Sequence, residues 1–181
     1  MKIVLATALY PPDIAPPAPY VKELATRLAA NHEVTIVTYG RLPEKVRGVQ
    51  IITVDKRRLL IFRLLRYMFI LWNAARKADI IYAQNGTSVE LPAGLVALLT
   101  RRLFVVHIAD KTAHEYAARR PLRAWIERFA FGRAHAVVAN TPLPRPEILP
   151  LETPPTEKLN AFHASWEAHV RGLLVLFAHV R

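Results

Sequence analysis

The chain has 181 residues, 52% hydrophobic and 22% charged, which excludes a disordered chain and allows one domain with a substantial core. It contains no cysteine, so disulfides and thiolate chemistry are excluded. The formal net charge of +11 has two interpretations, an anionic partner or simply a basic, solvated surface. However, the sequence has no recognition-helix motif, zinc-finger spacing or aromatic signature of an RNA-binding sheet, so we predict no nucleic-acid partner. The amino terminus enters a strand pattern without room for a signal peptide, and we expect a cytoplasmic protein.

Apolar, β-rich runs alternate with helical patterns along most of the chain. The predicted strands are residues 2–8, 33–39, 49–54, 79–83, 103–108 and 135–139. The predicted helices are residues 19–30, 59–77, 88–101, 112–119 and 121–133. The strand runs are continuously apolar, as in parallel strands that are covered on both faces. This alternation predicts an α/β fold, a doubly wound parallel sheet whose ligands bind at the carboxyl ends of the strands.

The loop after the first strand occupies the corner where such folds often hold a phosphate. Glycine is usual there because the backbone must approach the anion closely. This chain has Ala15 and Pro16 instead, and proline has no N–H to offer an anion. We therefore predict a pocket at this corner, with Ala15, Pro16 and Tyr20 in its wall, that is unsuited to phosphate.

The apolar run at residues 57–77 is nearly long enough to span a bilayer. Arg63 and Arg66 lie inside it, and each would cost about 2.5–3.5 kcal/mol near the membrane centre, so no span is predicted. Two interpretations remain. The helix covers the sheet with its apolar side and keeps its arginines in water, or it rests as a basic amphipathic helix on anionic lipid.

The proline-rich residues 141–150 indicate a boundary that the chain crosses in extended form. We therefore divide the chain into a domain of residues 1–140 and a segment of residues 141–181. The apolar run at residues 172–179 predicts one further strand near the end of that segment.

Several stretches match, in order and spacing, a pattern known from one family of enzymes. They are residues Lys2–Ala6, Tyr10–Asp13, Pro19–Ala25, His32–Thr38, Lys77–Gln84, Trp125–Ala130 and Ala134–Asn140. Together they resemble the N-terminal domain of a GT-B glycosyltransferase of the family-4 type. The resemblance implies a single Rossmann-like domain that receives the acceptor, while a second domain holds the nucleotide-sugar donor. Residues 141–181 would then be a proline-rich crossing segment plus a terminal helix/strand remnant of the second domain.

The resemblance implies an isolated acceptor-side domain that lacks the donor-binding domain and is inactive in sugar transfer by itself. The sequence departs from the family pattern at predicted strand ends. Ala15 and Pro16 stand where a Gly-Gly pair is common, and Glu90 stands where glycine is usual. The residues from His107 to Glu115 also differ from those of relatives. This clustering leaves an alternative open, an engineered catalyst built on the same scaffold.

Four residues are candidates for such chemistry. His107 would end the fifth strand, where a neutral imidazole could serve as base or nucleophile. Glu90 could orient that ring, and Asp110 or Lys111 could assist. Each also has an ordinary structural interpretation: His107 as a hydrogen-bonded strand-end histidine, and Glu90 as an acid that complements a helix dipole.

The predicted ligand is a small molecule in the crevice at the strand ends, with His114 as a further pocket residue. The spacing of His107, Asp110 and His114 matches no strong zinc pattern, so we assign no metal and no cofactor. An anionic membrane surface is a possible partner because of the basic charge. A homodimer is also possible, through the face that the second domain covers in the family.

Overall fold

The computed structural model describes residues 1–15, 17–57, 59–84, 86–108, 114–116, 119–138 and 156–180, without the side chains of 156–158. The chain divides into two compact units, Met1–Ala139 and Asn140–Arg181. The strands are β1 Lys2–Ala6, β2 Glu33–Tyr39, β3 Val49–Val54, β4 Ile80–Gln84, β5 Leu103–His107 and β6 Ala136–Val138. The helices are α1 Pro17–Leu28, α2 Leu60–Ala75, α3 Thr87–Thr100, α4 Pro121–Arg133 and α5 Thr156–His179.

The first unit contains one parallel sheet with the strand order β3-β2-β1-β4-β5-β6. Its centre is β1, where Leu5 lies opposite Ile36 of β2 and Tyr82 of β4. The chain adds β2 and β3 on one side of β1, and then β4, β5 and β6 on the other side. The strand order therefore reverses between β1 and β4, and the predicted doubly wound, Rossmann-like sheet is confirmed.

The two faces of the sheet are covered by different helices. One face holds a core cluster in which Ile81, Phe104 and Val106 pack with residues of α2, α3 and α4. Side chains alternate along a strand, so the neighbouring residues Tyr82 and Val105 project to the opposite face. Helix α1 packs on that opposite face, where Tyr20 contacts Tyr82. Both faces are apolar, which explains why the strands read as continuous hydrophobic runs.

Two of the prolines in the helices show how the fold accommodates this residue. Pro17 is the first residue of α1, which begins two residues earlier than predicted. Proline is tolerated at this position because the first N–H of a helix has no partner within the helix. Pro92 lies inside α3 and cannot donate to the carbonyl of Ser88. The hydroxyl of Tyr39 on β2 donates to that carbonyl instead, at 2.9 Å. A side chain from the sheet therefore supplies the hydrogen bond that the proline removes from the helix.

Helix α2 confirms the helix predicted for residues 59–77. Tyr67, Leu71 and Ala75 are buried on its inner side. The ring of Tyr67 stacks on Tyr39 at 4.5 Å, and its hydroxyl donates to the carbonyl of Val37 at 3.0 Å. Among the described residues, no helix has the length and apolar character needed to cross a bilayer.

The strand predicted for residues 172–179 is wrong, because these residues form the last two turns of α5. Leucine, alanine and phenylalanine are compatible with either structure, and a short apolar run does not distinguish between them. The preceding residues, from 159 to 171, are helical and include three alanines, so the helix continues through the apolar run. Half of the helix predicted for residues 112–119 lies outside the described residues, and residues 114–116 are helical.

Candidate functional site

Parallel strands bring polar residues together at the carboxyl edge of the sheet. Thr7 follows β1 directly, Gln84 ends β4, and His107 ends β5. Gln84 and His107 are paired in the register of the two strands. The strand order reverses between β1 and β4, and in open α/β sheets ligands bind at such a reversal. The edge formed by Thr7, Gln84 and His107 is therefore our candidate site.

A buried hydrogen-bond network forms the floor of this edge. The hydroxyl of Thr7 donates to Oε1 of Gln84 at 2.7 Å. Nε2 of Gln84 donates to the carbonyl of Pro17 at 3.3 Å. Thr7 and Gln84 are both fully buried, so these bonds form in a low-dielectric environment where they are strong. The network fixes the ends of β1 and β4 and the start of α1 relative to one another.

Two tyrosines and His107 form the wall of the candidate site on the α1 side. The hydroxyls of Tyr20 and Tyr82 lie 2.9 Å apart in a hydrogen bond. The ring of His107 lies 4.9 Å from the ring of Tyr20 and 5.7 Å from that of Tyr82. Burial raises the pKa of both tyrosines well above 10, so both phenols stay protonated at neutral pH. The wall therefore offers aromatic faces, hydroxyl groups and an imidazole.

Glu90 belongs to a second polar group, between α3 and α4. It lies in the first turn of α3 and is only 1% exposed. Glu127 of α4 is also buried, and its Oε1 lies 2.5 Å from Nδ1 of His114. Burial, the largest cause, and the negative charge of Glu127 raise the pKa of Glu90 from 4.5 to about 7. The backbone amide of Gly86 and the charge of His114 act in the opposite direction.

The structure does not bring Glu90 and His107 into one group. Val106 belongs to the core cluster beneath α2, α3 and α4, so the side chain of His107 projects to the other face, against Tyr20. Glu90 lies on α3, on the same face as Val106. Glu90 instead interacts electrostatically with His114, another predicted pocket residue, and with Glu127, which sequence reasoning missed.

The remaining predicted residues have different outcomes. Tyr20 is in the wall with His107, and Ala15 is half-buried just before α1. Pro16, Asp110 and Lys111 lie outside the described residues. Sequence reasoning also missed Thr7, Tyr82 and Gln84. A usable signal was present, because a threonine and a glutamine at the ends of otherwise apolar strands are unusual in a sheet that is covered on both faces.

Two observations concern other kinds of site. Within the part of the chain that the structure describes, no group of three or more acidic or histidine side chains could hold a metal ion. A cavity of about 410 Å³ lies at the amino-terminal end of β1, β2 and β3, beside α2. Its wall includes Lys2 and Glu33, which form an ion pair at 3.0 Å. This cavity lies at the end of the strands opposite the candidate site.

The reversed strand order and the polar carboxyl edge define a Rossmann-like α/β domain of the kind that binds ligands at its strand ends. The chain belongs to the glycosyl transferase 4-like domain family, whose profile matches residues 17–158. No curated protein sequence matches the chain significantly.

Solved structures share the fold of this chain at low sequence identity. HepE from Anabaena, crystallised with UDP and glucose, is 18% identical with a TM-score of 0.57, and the match covers 78% of this chain and 38% of HepE. A Listeria monocytogenes protein proposed to be a UDP-N-acetylglucosamine 2-epimerase is 17% identical, with a TM-score of 0.55 and coverage of 78% and 39%. The chain therefore corresponds to less than two fifths of each of these GT-B proteins.

A third solved structure with this fold belongs to a protein of coenzyme A biosynthesis. The C-terminal domain of the coenzyme A biosynthesis bifunctional protein CoaBC is 14% identical, with a TM-score of 0.52 and coverage of 97% and 95%. Because one architecture serves different activities, function has to be argued from the residues of the site.

Proposed function

We propose that this chain supplies the acceptor-side half of a GT-B glycosyltransferase site and binds a polyhydroxylated small molecule at the carboxyl edge of its sheet. The supporting observation is the wall of Tyr20, Tyr82 and His107 above the buried Thr7–Gln84 network. A wall of aromatic rings with a few well-placed polar groups is typical of small-molecule sites. Sugars combine apolar C–H faces with hydroxyl groups, and such a wall complements both.

The residues of the wall have separate roles in this proposal. Tyr20 and Tyr82 remain protonated and therefore act as hydrogen-bonding and packing groups, not as bases. His107 offers an imidazole that can accept a proton from a ligand hydroxyl near neutral pH. Gln84 is already bonded to Thr7 and Pro17, so it positions the floor of the site.

We assign no binding site for the nucleotide-sugar donor to this domain. The first loop carries Ala15 and then proline, and this pair is poorly suited to a phosphate because proline offers no N–H. In our proposal the donor is held by the second half of a GT-B enzyme, and the domain described here binds the acceptor without transferring sugar by itself. This assignment is consistent with a chain that spans 38% of HepE.

The experiment is a titration of the full chain with a panel of mono- and disaccharides, followed by NMR. A binding sugar should perturb the resonances of Tyr20 and His107, and His107→Ala should weaken binding by roughly tenfold, about the effect of losing one good hydrogen bond. His32→Ala is the matched control, because His32 lies at the amino-terminal edge of the sheet, bonded to the terminal amine at 3.4 Å.

Two results would overturn the proposal. One is sugar binding that His107→Ala leaves unchanged. The other is tight binding of UDP-glucose by the full chain that depends on His107, because the donor would then occupy the site that we assign to the acceptor.

A further inference from the structure

Helix α2 carries a second apolar face on the side opposite its buried face. Ile61, Phe62, Leu65, Phe69 and Trp72 are between 39% and 60% exposed. At 100° per residue these five positions fall within one stripe, and the buried residues Tyr67, Leu71 and Ala75 fall on the other side of the helix. Large exposed apolar side chains that adjoin one another, in contrast to scattered single ones, mark interaction sites. We call this stripe the outer face of α2.

Basic residues border the outer face. Arg66 and Arg76 are exposed on the helix and at its end, and Lys77 follows. The guanidinium of Arg76 lies 5.7 Å from the ring centre of Trp72. No acidic residue occurs in the sequence between Lys56 and Asp79. Large apolar side chains bordered by arginine and lysine form the pattern of a helix that lies in a membrane interface.

We propose that the outer face of α2 docks on the surface of a bilayer that contains anionic phospholipid, with the helix parallel to the membrane plane. Phe62, Leu65 and Phe69 would enter the boundary between headgroups and acyl chains. Arg66 and Arg76 would contact lipid phosphates, to which a cationic surface is attracted electrostatically. The proposal goes beyond the acceptor-side function and does not depend on it.

The charges favour a bilayer over a second copy of the chain. In a symmetric dimer through the outer face, Arg66, Arg76 and Lys77 of one copy would face a segment of the other copy, residues 57–78, that contains cations and no acidic residue. Like charges at an interface disfavour that pairing. An anionic lipid surface instead supplies the opposite charge together with the apolar environment that the five exposed side chains require.

The experiment is co-sedimentation of the full chain with vesicles of phosphatidylcholine, alone or mixed with phosphatidylglycerol. The chain should sediment with the mixed vesicles only, and raised salt should weaken this binding because the charges are exposed. The double variant Phe62→Ser/Phe69→Ser and the single variant Arg66→Glu should each weaken binding by roughly tenfold. Circular dichroism should show that the variants are folded, since these side chains lie outside the core.

Helix α4 provides matched controls. Leu122→Ser changes an exposed leucine and Arg128→Glu changes an exposed arginine, and both should bind vesicles like the unmodified chain. Tryptophan emission gives an independent measurement, because the blue shift on mixed vesicles should disappear in Trp72→Phe and persist in Trp125→Phe.

Three outcomes would overturn the proposal. The full chain could fail to bind mixed vesicles. The α2 variants could bind as well as the α4 controls. Alternatively, the chain could self-associate without vesicles and become monomeric in Phe62→Ser/Phe69→Ser, in which case the outer face of α2 is an interface between copies of the chain.

Discussion

At the scale of single residues, the burial of Glu90 carries an electrostatic cost. Removing its carboxyl from water disfavours the charged form, and the charge of Glu127 adds to the effect. The pKa consequently rises from 4.5 to about 7, so that Glu90 takes up its proton close to neutral pH. The favourable contact with the amide of Gly86 offsets only part of this cost.

The sign of the resulting pH dependence follows from the raised pKa. Between about pH 4.5 and about pH 7 the folded state holds a proton that the unfolded state has lost. The free energy of unfolding therefore falls as the pH rises through this range. We expect Glu90→Gln to remove this contribution, because a neutral amide needs no proton. At about pH 8 the variant should be more stable than the unmodified chain by at most about 3 kcal/mol, the equivalent of the shift in pKa.

Urea unfolding at about pH 5 and about pH 8 measures this effect, with linear extrapolation to water. The difference between Glu90→Gln and the unmodified chain should be large at the higher pH and small at the lower one. Glu167→Gln on α5, where the carboxylate is exposed, serves as the control and should change stability by less than about 0.5 kcal/mol at both values. A constant difference for Glu90→Gln at both pH values would show that its effect is not electrostatic.

At the scale of the elements, α3 depends on β2 for one of its hydrogen bonds. Pro92 leaves the carbonyl of Ser88 without its helical donor, and the hydroxyl of Tyr39 takes that place at 2.9 Å. Tyr39 is buried, so water cannot readily replace its hydroxyl. The bond therefore connects the end of a strand to the first turn of a helix that comes much later in the sequence.

A double-mutant cycle should reveal this connection. We expect Tyr39→Phe to lower the free energy of unfolding by about 1–3 kcal/mol, because it leaves the carbonyl of Ser88 unsatisfied. In a Pro92→Ala background the amide of residue 92 can bond to Ser88, so the same substitution should cost less. Additive effects in the cycle would show that the amide of residue 92 does not substitute for the tyrosine hydroxyl. Thermal unfolding of the unmodified chain, the two single variants and the double variant measures the four free energies of unfolding.

At the scale of the whole sheet, the strand order predicts which backbone amides are most protected from hydrogen exchange. β1 and β4 are central and almost fully buried, whereas β3 is an edge strand that is half-exposed and β6 is an edge strand of only three residues. Amides open to solvent most readily where few buried contacts hold them. Hydrogen exchange should therefore be slowest in β1 and β4 and fastest in β3 and β6. Exchange as slow in β3 as in β1 would show that the edge is covered in solution.

The helices and strands of the first unit were predictable because their signals are local. The predicted bounds of β2 and β3 are those of the structure, since continuous β-branched runs end at polar or glycine-containing turns. The strand predicted for residues 172–179 failed for a related reason. There the local pattern fits two structures, and the helical residues before it decide between them.

The sequence by itself determined the alternation of strands and helices, and with it the parallel, doubly wound sheet, because these follow from the order and periodicity of apolar residues. The family was indicated separately, by the resemblance of stretches between residues 2 and 140 to the family-4 type pattern. The sequence also placed His107 and Tyr20 at the edge where they meet.

Only the tertiary structure decided which face of the sheet each side chain occupies. A one-residue step along a strand reverses that face, so His107 joins two tyrosines while Glu90, on α3, joins Glu127 and His114. The sequence also left open whether the helix of residues 59–77 covers the sheet or rests on lipid, because an apolar helix does not indicate how much of its surface the sheet can cover.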